Sequence, residues 1–288
     1  MEKAKRAKIT IHTLREMKRR GEKIAMVTAY DYPSAKLSEA AGADLLLVGD
    51  SLGMVVLGYD TTLPVTLEEM LHHTRAVTRG AKNTLVVADL PFLTYHLGEQ
   101  EALRAAGRLV QEGMAEAVKM EGGVEILSQV RRCIEAGIPV MGHLGLTPQS
   151  VHQLGGYKVQ GRDLHSAKKM RDDALALQEA GIFALVLECV PEESATWLSE
   201  QLAIPTIGIG AGRGVDGQVL VYHDLLQYAS DVQAKFVKTY ADVGKVVVDA
   251  LHTYVSDVKN QQFPAAEHIF HMDSEMVQRL RDEEEGRG

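Results

Sequence analysis

Short apolar runs recur along the chain, separated by longer stretches with helical spacing. This alternation limits the possible folds more than any other feature of the sequence. The runs cover 24–30, 44–50, 84–90, 117–121, 139–144, 184–189, 205–209 and 234–239. Most are rich in Val, Ile and Leu without strict alternation, which is how a strand buried on both faces of a parallel sheet reads. Helical patterns lie between them at 32–41, 67–79, 99–113, 125–136, 163–180, 191–201 and 223–229. Three of these end in a small residue and Gly, at Ala41-Gly42, Ala136-Gly137 and Ala180-Gly181. Gly just past a helix end takes the left-handed turn that closes it.

Eight such strands with intervening helices predict an α/β fold of the (β/α)8 TIM-barrel type. A doubly wound open sheet gives the same alternation and is the competing architecture. Two more helical stretches, 242–259 and 272–282, are surplus to a closed barrel. They either cover its base or pack on a neighbouring subunit. The expectation is a single domain over residues 1–288, with flexible ends at 1–9 and 283–288.

Composition narrows the function. A chain of 288 residues with 45% hydrophobic content can bury a sizeable core. A net charge of −8 argues against nucleic-acid binding, which needs a basic face. Aromatic residues, at 5%, are too sparse for a base-stacking surface. No apolar run approaches the roughly 20 residues of a membrane helix. The basic start MEKAKRAKIT is not followed by the apolar core of a signal peptide. Cys133 and Cys189 supply neither a disulfide framework nor a CxxC site, so a cytoplasmic setting is expected.

Ionisable residues collect where the apolar runs end. LLLVGDS leads to Asp50 and Ser51, VVADLP to Asp89, VKMEGG to Lys119 and Glu121, VMGHLG to His143, and LVLECV to Glu188. In a (β/α)8 barrel these strand ends meet at one face, where active sites form. Converging carboxylates repel one another unless a cation sits among them. Oxygen donors of this kind suit Mg²⁺, so a divalent metal is the expected partner of Asp50. A single strand-end Asp is otherwise an ordinary helix cap, and Lys119 with Glu121 an ordinary ion pair. Glu188, set among Leu185, Leu187 and Val190, has the apolar surroundings that suit a general base, or else it pairs with an Arg. His143 is either an auxiliary acid–base group or a hydrogen-bonded core residue.

Cys189 should point away from Glu188 by strand alternation, as an inert thiol. GIGAGRG, 208–214, fails the dinucleotide spacing and reads as a passage where backbone runs close to a ligand or another chain. The segment 52–66 is either a lid or a packed loop.

The stretches TAYDYPSAKL, LLVGDSLGMVVLGYDTTLPVT, VVADLPF, VKMEGG, GHLGLTPQS, GGYKVQGR, LVLECVP and IGIGAGRGVDGQ resemble the ketopantoate hydroxymethyltransferase family, from about Thr10 to about His271. The resemblance implies a barrel of the phosphoenolpyruvate/pyruvate superfamily type. It implies transfer of a hydroxymethyl group from 5,10-methylenetetrahydrofolate to 3-methyl-2-oxobutanoate, in pantothenate and coenzyme A biosynthesis. By motif, Asp50 and Asp89 would bind one Mg²⁺ per subunit with Glu121 beside it. Asp50, Ser51, Asp89 and Lys119 would contact the keto acid, and Glu188 would be the catalytic base. The partners implied are an α-keto acid, a reduced folate and further copies of the chain in a homodecamer, with no nucleic acid and no membrane. The alternative within the superfamily is a Mg²⁺-dependent carbon–carbon lyase acting on an α-keto acid. Such lyases carry a reactive Cys in a lid loop, and 52–66 contains none.

Overall fold

The computed structural model describes residues 7–229 and 234–285. In chain order the regular elements are α1 (Ile11–Arg20), β1 (Ile24–Thr28), α2 (Tyr32–Ala41), β2 (Leu45–Val48), α3 (Leu52–Val55) and α4 (Leu67–Gly80). β3 (Leu85–Asp89), α5 (Glu99–Gln111), β4 (Ala117–Glu121), α6 (Leu127–Glu135) and β5 (Val140–Gly145) follow. Then come α7 (Val151–Leu154), α8 (Leu164–Ala180), β6 (Ala184–Glu188), α9 (Glu192–Gln201), β7 (Thr206–Ile209), β8 (Gly217–Leu220) and α10 (Tyr222–Leu225). The last two helices are α11 (Val243–Lys259) and α12 (Ser274–Glu285).

All eight strands are parallel and neighbour one another in sequence order, and β8 closes on β1. The expected (β/α)8 barrel is therefore present, and the open sheet is excluded. Alternate strand residues divide between two cores. Leu45, Leu47, Leu85, Val87, Ala117, Met141, Ala184 and Val186 face inward. Leu46, Val48, Val86, Ala88, Val118, Leu185 and Leu187 pack outward against the helices. Both rows are apolar because both faces are covered, hence the unbroken runs in the sequence.

α1 is not among the helical stretches read from the sequence. It places Leu14 and Met17 in the inner core. Lys18 pairs at 2.7 Å with Asp216, just before β8, and Lys8 pairs at 2.8 Å with Glu116, just before β4. The N-terminal segment thus plugs the bottom of the barrel, opposite the strand ends that carry charge. Of the ends expected to be flexible, 1–6 and 286–288 lie outside the described residues. Ile9 is buried, with its amide bonded to the Asn83 carbonyl.

The eighth strand needs correction. It is Gly217–Leu220, not 234–239. Gln218 on its outer face is exposed, so the run does not read as apolar. Once β8 has paired with β1 there is no free edge for 234–239, which forms an irregular turn with Phe236 against Gly210. The helix expected over 223–229 stops at Leu225, because Gln227 and Ala229 take left-handed backbone at φ 48° and 54°. Gly42, Gly137 and Gly181 close their helices at φ 95°, 86° and 103°, as the sequence predicts.

The chain divides into two compact units, 1–241 and 242–288. The first holds the whole barrel. The second holds α11, which has no buried residue, and α12. Among the described residues no helix is long and apolar enough to cross a membrane.

Candidate active site

The inward rows of β3 to β6 run out of apolar residues at their C-terminal ends. Leu85 and Val87 are followed by Asp89, Ala117 by Lys119 and Glu121, Met141 by His143, and Ala184 and Val186 by Glu188. Register sets Asp89 beside Lys119 and Glu121 beside His143. Asp50 and Ser51 follow β2. All seven line one cavity of about 450 Å³ at this end of the barrel. Its floor includes the inward Leu47, Val186 and Val219, and its rim includes Met54, Tyr157 and Phe236.

Every charged member except Glu188 is nearly fully buried. Lys119 Nζ lies 3.0 Å from Asp89 Oδ1, out of line for a hydrogen bond, and 3.8 Å from Glu121 Oε1. His143 Nδ1 lies 3.2 Å from Lys119 Nζ, which can only donate, and 3.3 Å from Glu121 Oε1, and its Nε2 lies 3.3 Å from Glu188 Oε2, again out of line. The partner of Glu188 is thus a histidine, not the arginine of the competing reading. Asp89 Oδ2 accepts the Asp50 amide at 3.1 Å. Ser51 Oγ meets the buried Tyr30 hydroxyl at 2.8 Å. A methyl at Gly49 would come within 2.7 Å of Ser51 Oγ and would displace that hydroxyl.

The charges do not balance. Asp50, Asp89, Glu121, Glu188 and Asp224 line the cavity with Lys119 and His143, an excess of three negative charges when all are ionised. Burial, then Asp89 and Glu121, push the Asp50 carboxyl well above its ordinary range. Burial raises Asp89 as well, against the opposing pull of Lys119. Burial also acts on Glu121, but its hydrogen bond to His143 and the charges of His143 and Lys119 hold it below its ordinary value. Burial and Lys119 would strip the proton from His143, yet Glu121 and Glu188 outweigh them and raise it to about 9. Burial would lower Lys119 too, but Asp89, Glu121 and Asp50 hold it above its ordinary value.

Two residues that sequence reasoning passed over complete the site. Gln149 donates from Nε2 to Asp50 Oδ2 at 2.8 Å and to the Leu90 carbonyl at 2.9 Å. Its backbone N–H donates to Glu121 Oε2 at 3.0 Å. The Tyr95 hydroxyl donates to Gln149 Oε1 at 2.7 Å. Pro148, which opens the short 3-10 turn Pro148–Ser150, was the available signal, because the next amide of such a turn has no partner inside it.

Cys189 does not point away from the site. Its backbone is left-handed at φ 48°, and the residue lines the cavity beside Glu188. Burial, and then Glu188, push its thiol up to about 11, so it stays protonated at neutral pH. Within 52–66, Leu52, Thr62 and Val65 are buried, and Met54, Val55 and Thr62 line the cavity. Of the glycines in 208–214, Gly212 and Gly214 pass close to α9 of the same chain, while Gly208 faces Val215 and Gly210 faces Phe236. A methyl at Gly212 would lie 2.9 Å from Glu192 Cα, and one at Gly214 would strike the Thr196 hydroxyl.

Among the described residues no three His, Cys, Asp or Glu side chains converge as a ready ligand set. The oxygens of Glu121 face His143, Lys119 and the Gln149 amide. A metal here would take two protein carboxylates directly, from Asp50 and Asp89, which is what Mg²⁺ accepts.

The family model for ketopantoate hydroxymethyltransferase matches residues 8–266. A 3-methyl-2-oxobutanoate hydroxymethyltransferase from Carboxydothermus hydrogenoformans is 58% identical over 273 residues, covering 95% of this chain and 99% of that one. One from Geobacillus sp. is 59% identical over 260 residues, covering 90% and 93%. Among solved structures, 2,3-dimethylmalate lyase of the PEP mutase/isocitrate lyase superfamily aligns with a TM-score of 0.56 at 19% identity, covering 96% of both chains. Phosphonopyruvate hydrolase, in complex with oxalate and Mg²⁺, aligns at 0.57 with 13% identity and the same coverage. At these identities the two structures share the fold with this chain.

Proposed function

This chain belongs to the ketopantoate hydroxymethyltransferase family, and we propose that its strand-end residues divide the work of one-carbon transfer between them. The enzyme transfers a hydroxymethyl group to 3-methyl-2-oxobutanoate, giving ketopantoate, a step of pantothenate biosynthesis. In this reading the donor is 5,10-methylenetetrahydrofolate and the setting is the cytoplasm, as two free cysteines suit. The chain works as a homo-oligomer, with the decamer as the family expectation.

Asp50 and Asp89 are the residues that would hold Mg²⁺, with Glu121 beside it. The excess of negative charge, the raised Asp50 and the unaligned Asp89 Oδ1 all fit a divalent cation at this point. When bound, the ion supplies Lewis-acid stabilisation of a substrate oxygen that gains negative charge. Lys119 and Ser51, with Asp50 and Asp89, hold the keto acid by its oxygens. Glu188 removes the proton from C3. The resulting carbanion equivalent attacks the methylene carbon of the donor as one of its two C–N bonds opens. Water then replaces the second C–N bond, leaving the hydroxymethyl group on C3 and releasing tetrahydrofolate. His143, 3.3 Å from Glu188, is among the described residues the nearest basic group to that carboxylate and stabilises its charge. Leu47, Val186 and Val219 keep the floor of the cavity dry around the reacting carbon.

The observation that carries this reading is the continuation of the inward strand rows into Asp89, Lys119, Glu121, His143 and Glu188 around one cavity. The lyase alternative lacks its reactive cysteine, since the Cys189 thiol is raised to about 11 and 52–66 has no Cys.

The test is proton NMR of C3–H exchange for 3-methyl-2-oxobutanoate in D₂O, with Mg²⁺ and with EDTA, and with tetrahydrofolate present. Exchange should require the metal. Glu188→Gln should slow it by about 10²–10⁴-fold while calorimetry shows the keto acid still bound. Exchange at the wild-type rate in that variant would remove Glu188 from its role.

A further inference from the structure

Gln149 is buried, and its side-chain atoms and backbone N–H are all committed to specific partners. It reaches the site from the loop after β5, yet it grips acids from two other strands. The side-chain amide holds Asp50, which follows β2, and the backbone amide holds Glu121 at the end of β4. The bond to Leu90 O fixes the same Nε2 group against the residue after β3, the strand that carries Asp89. Tyr95, also buried, holds the far side of the amide and accepts from the Glu121 backbone N–H at 3.2 Å.

We propose that Gln149 is a positioning residue whose side-chain amide holds Asp50 in the orientation a divalent metal needs, while its backbone amide ties Glu121 beside it. The inference rests on the metal reading above and adds a residue to it. Three neighbouring carboxylates tend to splay apart or share protons. A neutral donor locked on one oxygen of Asp50 fixes the rotation of that carboxylate. An amide serves where a cation does not, because it adds no charge to compete with the metal. Lys119 already supplies the cation on the Asp89 side. Gln149 touches neither the keto acid nor the metal in this arrangement. It acts through its neighbours, as outer partners of metal ligands commonly do, and losing such partners typically weakens affinity 10–100-fold.

Gln149→Met keeps the shape and the backbone amide while removing the side-chain donor. Mn²⁺ serves as the probe, titrated by electron paramagnetic resonance into the full chain without substrate. Wild type should bind one Mn²⁺ per chain, and Gln149→Met should bind it about 10- to 100-fold more weakly. Gln149→Leu, which removes the donor without adding charge, gives a second reading and should also bind weakly. Leu109→Ala, a buried change on α5 outside the cavity, controls for general loosening and should bind Mn²⁺ as wild type does, despite a lower Tm in EDTA. Unchanged affinity in a folded Gln149 variant would overturn the proposal and leave the metal site standing. Loss of affinity in Leu109→Ala matching that of Gln149→Met would also overturn it. Failure of the wild-type chain to bind Mn²⁺, with or without 3-methyl-2-oxobutanoate, would overturn the metal reading and this inference with it.

Discussion

At the level of single residues, His143 is where charge and stability meet. Its proton is held by Glu121 and Glu188 against burial and Lys119, so its folded pKa of about 9 lies above the ordinary 6.5. Such a group stabilises the fold fully below pH 6.5, and the contribution is lost as pH rises through about 9. The whole contribution is on the order of 3 kcal/mol, since one pKa unit is worth about 1.4 kcal/mol. The metal-free protein, kept in EDTA, should therefore lose Tm between pH 6.5 and 9. His143→Gln should be less stable at pH 6.5 and show a flatter slope. Parallel Tm profiles for the two proteins would show that the imidazolium adds nothing to the fold.

At the level of elements, the β7–β8 connection shows why a glycine-rich stretch need not bind anything. Gly212 has φ 73°, and a methyl there would run into the Glu192 side chain at the start of α9. Gly212→Ala should cost about 2 kcal/mol through strain and overlap, lowering Tm by roughly 4–8 °C. Calorimetry with unchanged Tm would refute this account. The sequence predicts close approach of this backbone to a ligand or a second chain, and at Gly212 and Gly214 it also runs close to a helix of the same chain. Seven strands were legible because both faces are apolar. The eighth was not, because Gln218 faces outward without cover and the segment is only four residues long. The strand-end acids, Lys119, His143 and Glu188 were legible because charge at the end of a buried run is conspicuous. Gln149 and Tyr95 were not, because an uncharged side chain reveals its partners only in three dimensions. Cys189 escaped because a left-handed residue breaks the alternation used to place it.

At the level of the whole molecule, the second unit, 242–288, carries an apolar stripe that it does not bury within itself. On α11, Val248, Leu251, Val255 and Val258 fall at helical spacing along one stripe, each between 43% and 64% exposed. Met276 and Leu280 on α12 are half exposed as well. Monomeric proteins rarely leave so continuous a stripe in water, because each Val or Leu side chain gains about 1.5–3 kcal/mol when fully covered. Such a stripe is what the proposed homo-oligomer would cover, and the barrel's own base is the competing cover. Light scattering coupled to size-exclusion chromatography should find wild type at a multiple of the chain mass. Leu251→Glu with Val255→Glu should shift it to smaller species, because two carboxylates in a dry interface have no cation to meet them. The seven cavity residues all come from the barrel unit, so Mn²⁺ binding should survive in the dissociated form even where turnover falls. A wild-type monomer would end the oligomer reading. Dissociation that also abolished Mn²⁺ binding would show that the barrel does not hold its metal site without neighbouring copies.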